Sequence, residues 1–182
     1  MALREIVKFP DKRLREVSEP IAEIDDAIRS LAEDMLDVMY DEPGVGLAAP
    51  QLGESIRMIV TDTEWTAEDA ERNPLVLINP VIECAEGKAV RTEGCLSVPD
   101  FEAEVERAER VRLSAQNLDG EPIEIDAEGL QAVCFQHEVD HLDGILFIDR
   151  ISRLKRDLYV RKRKKLLRQE LEESDPATSI RG

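Results

Sequence analysis

The chain has little that is aromatic: one Trp, two Tyr and four Phe, 4% of 182 residues. It has two histidines and three cysteines, with no CxxC pair. Cys84, Cys95 and Cys134 are too few and too scattered for a disulfide framework or a paired zinc knuckle. Their odd count suits a reducing cytoplasm. No apolar run approaches the roughly 20 residues that cross a bilayer, so no membrane-spanning segment and no membrane partner are expected. The opening MALREIVKFP has neither an apolar leader core nor Arg/Ser-rich transit character. The chain is therefore expected to act where it is made. Internal repeats and low-complexity tracts are also missing.

What remains is an ordinary globular composition, 42% hydrophobic and 35% charged, long enough for one domain with a real core. The net charge of −16 is unevenly placed. Residues 1–149 carry 13 Lys/Arg against 35 Asp/Glu, whereas 150–182 carry 11 against 5. The body repels nucleic acid and the end attracts it, so no specific DNA partner is expected.

The first forty residues read as helical, with Asp25 as a cap for a stripe of Ile28, Leu31, Ala32, Met35, Leu36 and Met39. Pro43-Gly44 should stop that helix, and an uncharged loop, GVGLAAPQ (44–51), follows. The pattern then turns to strands at 57–62, 75–79, 81–84 and 88–91. A further pair at 104–117 and 122–126 flanks Asp119-Gly120, a hairpin signal. The polar stretch 63–74 reads as a surface loop. Asp126 is a candidate cap for a second helix ended by Gly144, and a third helix starts after Ser152. Helix, strands, then helices give an α+β single domain. Antiparallel strands should surround the second helix.

The segment QHEVDHLDG (136–144) holds HExxH, and both histidines of the chain lie in it. On a helix His137 and His141 share one face and can reach one metal ion. Glu138 can then touch a water at that ion without ligating it, as in metal-assisted hydrolases. Two imidazoles need a third ligand. Position 147 is Phe147, which rules out the metzincin continuation, and the stretch where thermolysin-like zincins place a Glu is basic. Cys134 and His141 are seven residues apart, about 10.5 Å along a helix, too far to surround one ion. Cys134 therefore reads as a small apolar wall residue. Cys84 reads as buried and inert. Cys95, in the EGCLSVP loop (93–99), is the ligand chosen.

GVGLAAPQ, EGCLSVP and QHEVDHLDG, in this order and at these separations, resemble the three signature motifs of bacterial peptide deformylases. The likeness runs from KFPDKRL near the start to the helix after Gly144. It implies removal of the N-formyl group from the starting methionine of new polypeptides, with release of formate. It implies a divalent metal ion held by Cys95, His137 and His141, usually Fe(II), with Zn, Ni or Co able to replace it. Glu138 would move the water's proton to the leaving amine. The Gln51 side-chain amide and the Leu96 backbone N–H would donate to the oxyanion. The substrate would lie as an added strand at Gly46, its methionine side chain walled by Val45, Leu130, Val133, Cys134 and His137.

Glu93 is expected to hold its loop through an ion pair, with Arg107 the candidate partner, and Gln136 and Asp140 to be solvated or supporting groups. Taken alone, Gly44 and Gly46 read as turn glycines. Glu102 stands where many members of the family carry an arginine near the outer substrate residues, and Arg91 near a strand position that is often apolar and beside the pocket. A metallopeptidase and a non-catalytic metal domain are the competing readings. From Arg150 to Arg168 there are ten Lys/Arg and one acid, Asp157. Leu154, Leu158, Leu166 and Leu167 are expected to pack, leaving a basic side able to meet the ribosome. The catalytic domain is expected over 1–168 and a disordered charged tail over 169–182.

Overall fold

A computed structural model describes residues 4–65 and 71–174, with the side chains of 173 and 174 left aside. Residues 66–70 of the expected surface loop and 175–182 of the expected tail lie outside the described residues. The elements are α1 (Asp26–Asp41), β1 (Gly46–Ala48), β2 (Met58–Thr61), β3 (Leu75–Glu86), β4 (Ala89–Cys95) and β5 (Val98–Arg107). They continue with β6 (Arg110–Gln116), β7 (Pro122–Glu128), α2 (Gly129–Leu142) and α3 (Arg153–Ser174). β1-β2-β3-β6-β7 form one antiparallel sheet and β4-β5 a second. The class is α+β, as the order of elements implied.

The larger sheet is covered on both faces, which explains why all four residues of β2 are buried. Met58 and Val60 meet the α1 stripe of Leu31, Ala32, Met35 and Met39. Ile59, with Leu77 and Leu113, meets Ala132, Phe135 and Leu142 of α2. Such side-to-side alternation follows from the two-residue period of a strand. The Asp25 carboxylate accepts from the Ile28 N–H at 2.9 Å and caps α1. The opposite face of α2, with His137, Glu138 and His141, is left for the second sheet.

Several expectations are corrected. Residues 4–24 are not helical apart from one 3₁₀ turn at Lys12–Arg15. Their backbone is spent on other elements: Val7 donates to Gln51, Phe9 to Ser97 and Ser18 to Leu142. The segments 75–79 and 81–84 form one strand, bent at Asn79 with φ of 52°. Asn79 is held there because its amide bonds both the N–H and the C=O of Ile21, each at 2.8 Å. The run 104–117 is two strands, β5 and β6. Asp126 lies within β7 and caps nothing, since α2 begins at Gly129. GVGLAAPQ is not a free loop: it contains β1 and a 3₁₀ turn at Ala49–Leu52. Cys84 is exposed rather than buried.

In α3 the residue that packs is Tyr159, which stacks on Phe101 with ring centroids 4.6 Å apart. Leu154 and Leu158 are exposed, and Leu166 and Leu167 are half-buried. Residues 169–174 continue this helix instead of starting a disordered tail.

Gly144 ends α2 with φ of +71°, and a Cβ there would lie 2.5 Å from the backbone oxygen of Arg15. Left-handed backbone and a backbone neighbour leave no cheap relief. Gly144→Ala should destabilise the protein by about 2 kcal/mol or more. Urea unfolding measures this, and an unchanged midpoint would contradict it.

Candidate metal centre

Cys95 ends β4, where the β4–β5 register shifts and Cys95 comes opposite Val98. This tight reversal points the thiol at α2. The ligand atoms of Cys95, His137 and His141 all lie within 4.8 Å of one another, and Cys95 Sγ is 3.2 Å from His141 Nε2. Ligand distances of about 2.0–2.3 Å put tetrahedral donors roughly 3.3–3.8 Å apart, so this set closes on one ion with small side-chain shifts. Cys134 is directed elsewhere: its Sγ is 3.5 Å from the Val45 carbonyl oxygen.

The ring of His137 is oriented by Glu93, whose Oε2 is 2.9 Å from Nδ1, which leaves Nε2 for the cluster. Glu93 also accepts two bonds from Arg107, at 2.6 and 2.8 Å. Arg107 donates in addition to Asp140 at 2.7 Å, and Asp140 accepts from Arg150 at 2.5 and 2.6 Å. The expected Glu93–Arg107 pair is therefore present. The sequence reading missed that Glu93 grips a histidine and that Asp140 is the buried partner of two arginines. Two acidic residues placed two before Cys95 and one before His141 are the signal that was available. Gln136 is not merely solvated: it bonds the backbone N–H and C=O of Ala108.

Burial pushes the Glu138 carboxyl up to about 7, against the opposing charges of His137 and Arg107. Its Oε2 and the Nδ1 of His141 are buried without a hydrogen-bond partner among the described residues. Burial, aided by the charges of His137 and Arg107, holds His141 well below the ordinary histidine value, hence neutral and able to ligate. For His137 burial works downward, but bonds to Cys95 and Glu93 outweigh it and raise the ring. Burial drives the Cys134 thiol up, which keeps it protonated.

A cavity of about 760 Å³ opens over the cluster. Val45, Gly46, Gln51, Leu96, Leu130, Val133, Cys134, His137 and Glu138 all line it. Leu130 stands half out at its mouth. Arg91, Asp100 and Glu102 set charges around the same opening. The Gln51 amide is fixed from both ends: Oε1 accepts from Ala48 N–H at 2.9 Å, and Nε2 donates to Ser97 Oγ at 3.1 Å. At Gly46 strand and helix come close together. A Cβ on it would lie 2.6 Å from Glu138 Oε1 and 2.7 Å from Cys134 Sγ.

A thiol and two imidazoles beside a buried, high-pKa carboxylate at the floor of an open cavity define the centre of a metal-dependent hydrolase. The family profile described as polypeptide deformylase matches residues 3–157. The peptide deformylase of Alkalilimnicola ehrlichii is 56% identical over 169 residues, covering 93% of each chain. The crystal structure of a peptide deformylase from Legionella pneumophila superposes with a TM-score of 0.84 at 43% identity, over 96% of this chain and 100% of that one. The Ehrlichia chaffeensis peptide deformylase in complex with actinonin gives 0.83 at 38% identity, over 91% and 98%. The chain belongs to the polypeptide deformylase family. It is a hydrolase that removes the N-formyl group from nascent polypeptides.

Burial alone would raise the Glu93 carboxyl, but the bonds from Arg107 and His137 prevail and hold it at about 2, below its ordinary 4.5. A depressed carboxylate stabilises the fold above its unfolded pKa and loses that contribution as pH falls through the folded one. Stability should therefore drop between about pH 4.5 and 2, by on the order of 3 kcal/mol. Urea unfolding across that range checks it, and Glu93→Gln should lack this component. An equal slope in the variant would remove Glu93 as its source.

Proposed function

We propose that Cys95, His137 and His141 hold one divalent ion, Fe(II), in a site that also accepts Zn, Ni or Co. A mixed thiolate and imidazole set suits all four, and supply decides among them. When bound, the ion supplies the Lewis acidity that brings the pKa of a water down towards about 7. The observation that carries the reading is Glu138: a buried carboxyl near neutrality with a free oxygen, beside the donor cluster. Such a group takes a proton from water and passes it to the leaving amine, work typically worth about 10²–10⁴-fold.

The Gln51 amide and the Leu96 N–H donate to the oxygen of the former formyl group, where charge develops. One such donor is worth about 10²–10³-fold. The Asp62 N–H donates to the Val45 carbonyl at 2.9 Å. Gly46, opposite Thr61, then falls between hydrogen-bonded pairs, so its own backbone groups face the free edge of β1. An extended peptide adds there as a further strand, its methionine side chain against Val45, Leu130, Val133, Cys134 and His137. Arg91 and Glu102 bear on residues further along that peptide.

The place of action proposed is the cytoplasm, which suits three free thiols. The ribosome is the proposed larger partner, met through α3. Arg161, Lys162, Lys164 and Lys165 are all exposed there, near the exposed Leu154 and Leu158. A basic anchor offsets the repulsion between an acidic body and RNA.

Metal-loaded protein should release formate from a formyl-Met peptide and leave the acetyl-Met analogue intact. Glu138→Ala should retain metal and lose turnover by about 10²-fold or more. Substantial activity in that variant would overturn the proton-transfer role. Cys95→Ser should lose metal and Cys134→Ser keep it, by elemental analysis; the reverse would show the wrong ligand. Charge reversal of Arg161, Lys162, Lys164 and Lys165 to Glu should abolish co-sedimentation with ribosomes at low salt while leaving formyl-peptide turnover nearly unchanged. Undiminished co-sedimentation would leave α3 a solvated helix.

A further inference from the structure

The cavity-lining segment 44–46 is held from outside by a cluster that the reaction itself does not use. The Trp65 indole N–H donates to the Gly44 carbonyl at 2.9 Å. The indole meets the Tyr40 ring edge to face, with centroids 5.2 Å apart and planes at 90°. The Arg72 guanidinium lies over Tyr40, 4.0 Å from the ring centroid. Tyr40 O–H in turn donates to Asp62 Oδ2 at 2.7 Å. The Asp62 carboxylate also accepts from the backbone N–H of Trp65 at 3.3 Å and of Asn73 at 2.8 Å. Its own N–H holds Val45 O, so both carbonyls that precede Gly46 are secured by one loop.

We infer that Trp65 is a positioning residue for substrate, acting through the Gly44–Val45 backbone. Trp65 itself does not line the cavity. A trans peptide is planar, with its C=O and N–H pointing opposite ways. Fixing the two carbonyls therefore fixes the direction of the Val45 and Gly46 N–H groups. Gly44 is otherwise closely enclosed, a Cβ on it falling 3.3 Å from Leu96 Cδ1 and 3.4 Å from Met39 O. Two hydrogen bonds hold its backbone: the N–H to Met39 O at 2.8 Å and the C=O to Trp65. The ring and cation contacts keep the indole in place, each worth something beyond mere burial. A segment aimed in advance spares a bound peptide the cost of ordering it.

The inference rests on the deformylase reading, with the peptide paired to β1. Loss of pre-ordered pairing weakens ground state and transition state alike, so it raises KM and spares kcat. Trp65→Phe keeps the ring and removes the N–H. In metal-loaded protein it should raise KM for a formyl-Met tripeptide about five- to tenfold, with kcat within about twofold. Hydrogen exchange over residues 43–47 should quicken in the same variant without a substrate present. Arg72→Gln keeps the N–H and should shift both readouts the same way by less. An unchanged KM, or a fall in kcat with exchange unaltered, would overturn the positioning role, whichever variant folds well enough to measure. Wild-type protein that released no formate would fail the functional reading instead, and the exchange arm would still decide the clamp.

Discussion

Arg107 is 5% exposed, and its guanidinium lies between two carboxylates, Glu93 on β4 and Asp140 on α2. That one group ties the two halves of the metal centre. Cys95 comes from the small sheet, and the histidines from the helix packed on the large one. Arg150, just before α3, adds a second cation to Asp140. Removing Arg107 would leave the buried Glu93 without its cation and Asp140 with Arg150 alone, a class of change that costs about 3–5 kcal/mol. A buried ion pair of this kind is a weak source of net stability, since desolvation consumes much of the attraction. It does favour one register of β4 against α2, and the donor cluster needs that register.

The same network sets the chemistry. Glu93 stays ionised because Arg107 and His137 donate to it, and Glu138 is raised because it is buried without such donors. Two glutamates near one histidine are thus separated by environment, one held ionised and one raised towards neutrality. Glu93 cannot rise in the same way while both its oxygens are bonded. The near-neutral value of Glu138 is what a group that first accepts and then gives up a proton requires.

Chemistry that depends on local spacing was legible in the sequence. HExxH fixes its own geometry once the segment is helical, and distance along the helix was enough to prefer Cys95 over Cys134. Asp25 caps its helix through a residue three positions on, so that signal is local too. The failures are tertiary. Asn79 holds a left-handed backbone through Ile21, 58 residues away, and so joins two apparent strands into one. Asp126 has the chemistry of a cap but stands two residues before the cap position, Glu128, and Arg112 takes its carboxylate across the β6–β7 pair at 2.7 Å. In α3 the leucine spacing suggested the buried side. Tyr159 takes that place because Phe101 and Phe147 offer it an aromatic surface, and the Pro99 carbonyl accepts its hydroxyl at 3.2 Å.

The glycines of the 44–51 segment show the limit in another way. Read locally, Gly44 and Gly46 suggest turns, where glycine serves by reaching positive φ. Neither adopts such a φ. At Gly46 the reason is space: Glu138 Oε1 and Cys134 Sγ occupy the volume a side chain would need. The missing Cβ lets α2 approach the edge of β1 closely, so that the Glu138 carboxyl comes against the backbone of that strand. Nothing in the local pattern reports it, because the atoms that demand it come from a helix almost ninety residues further on.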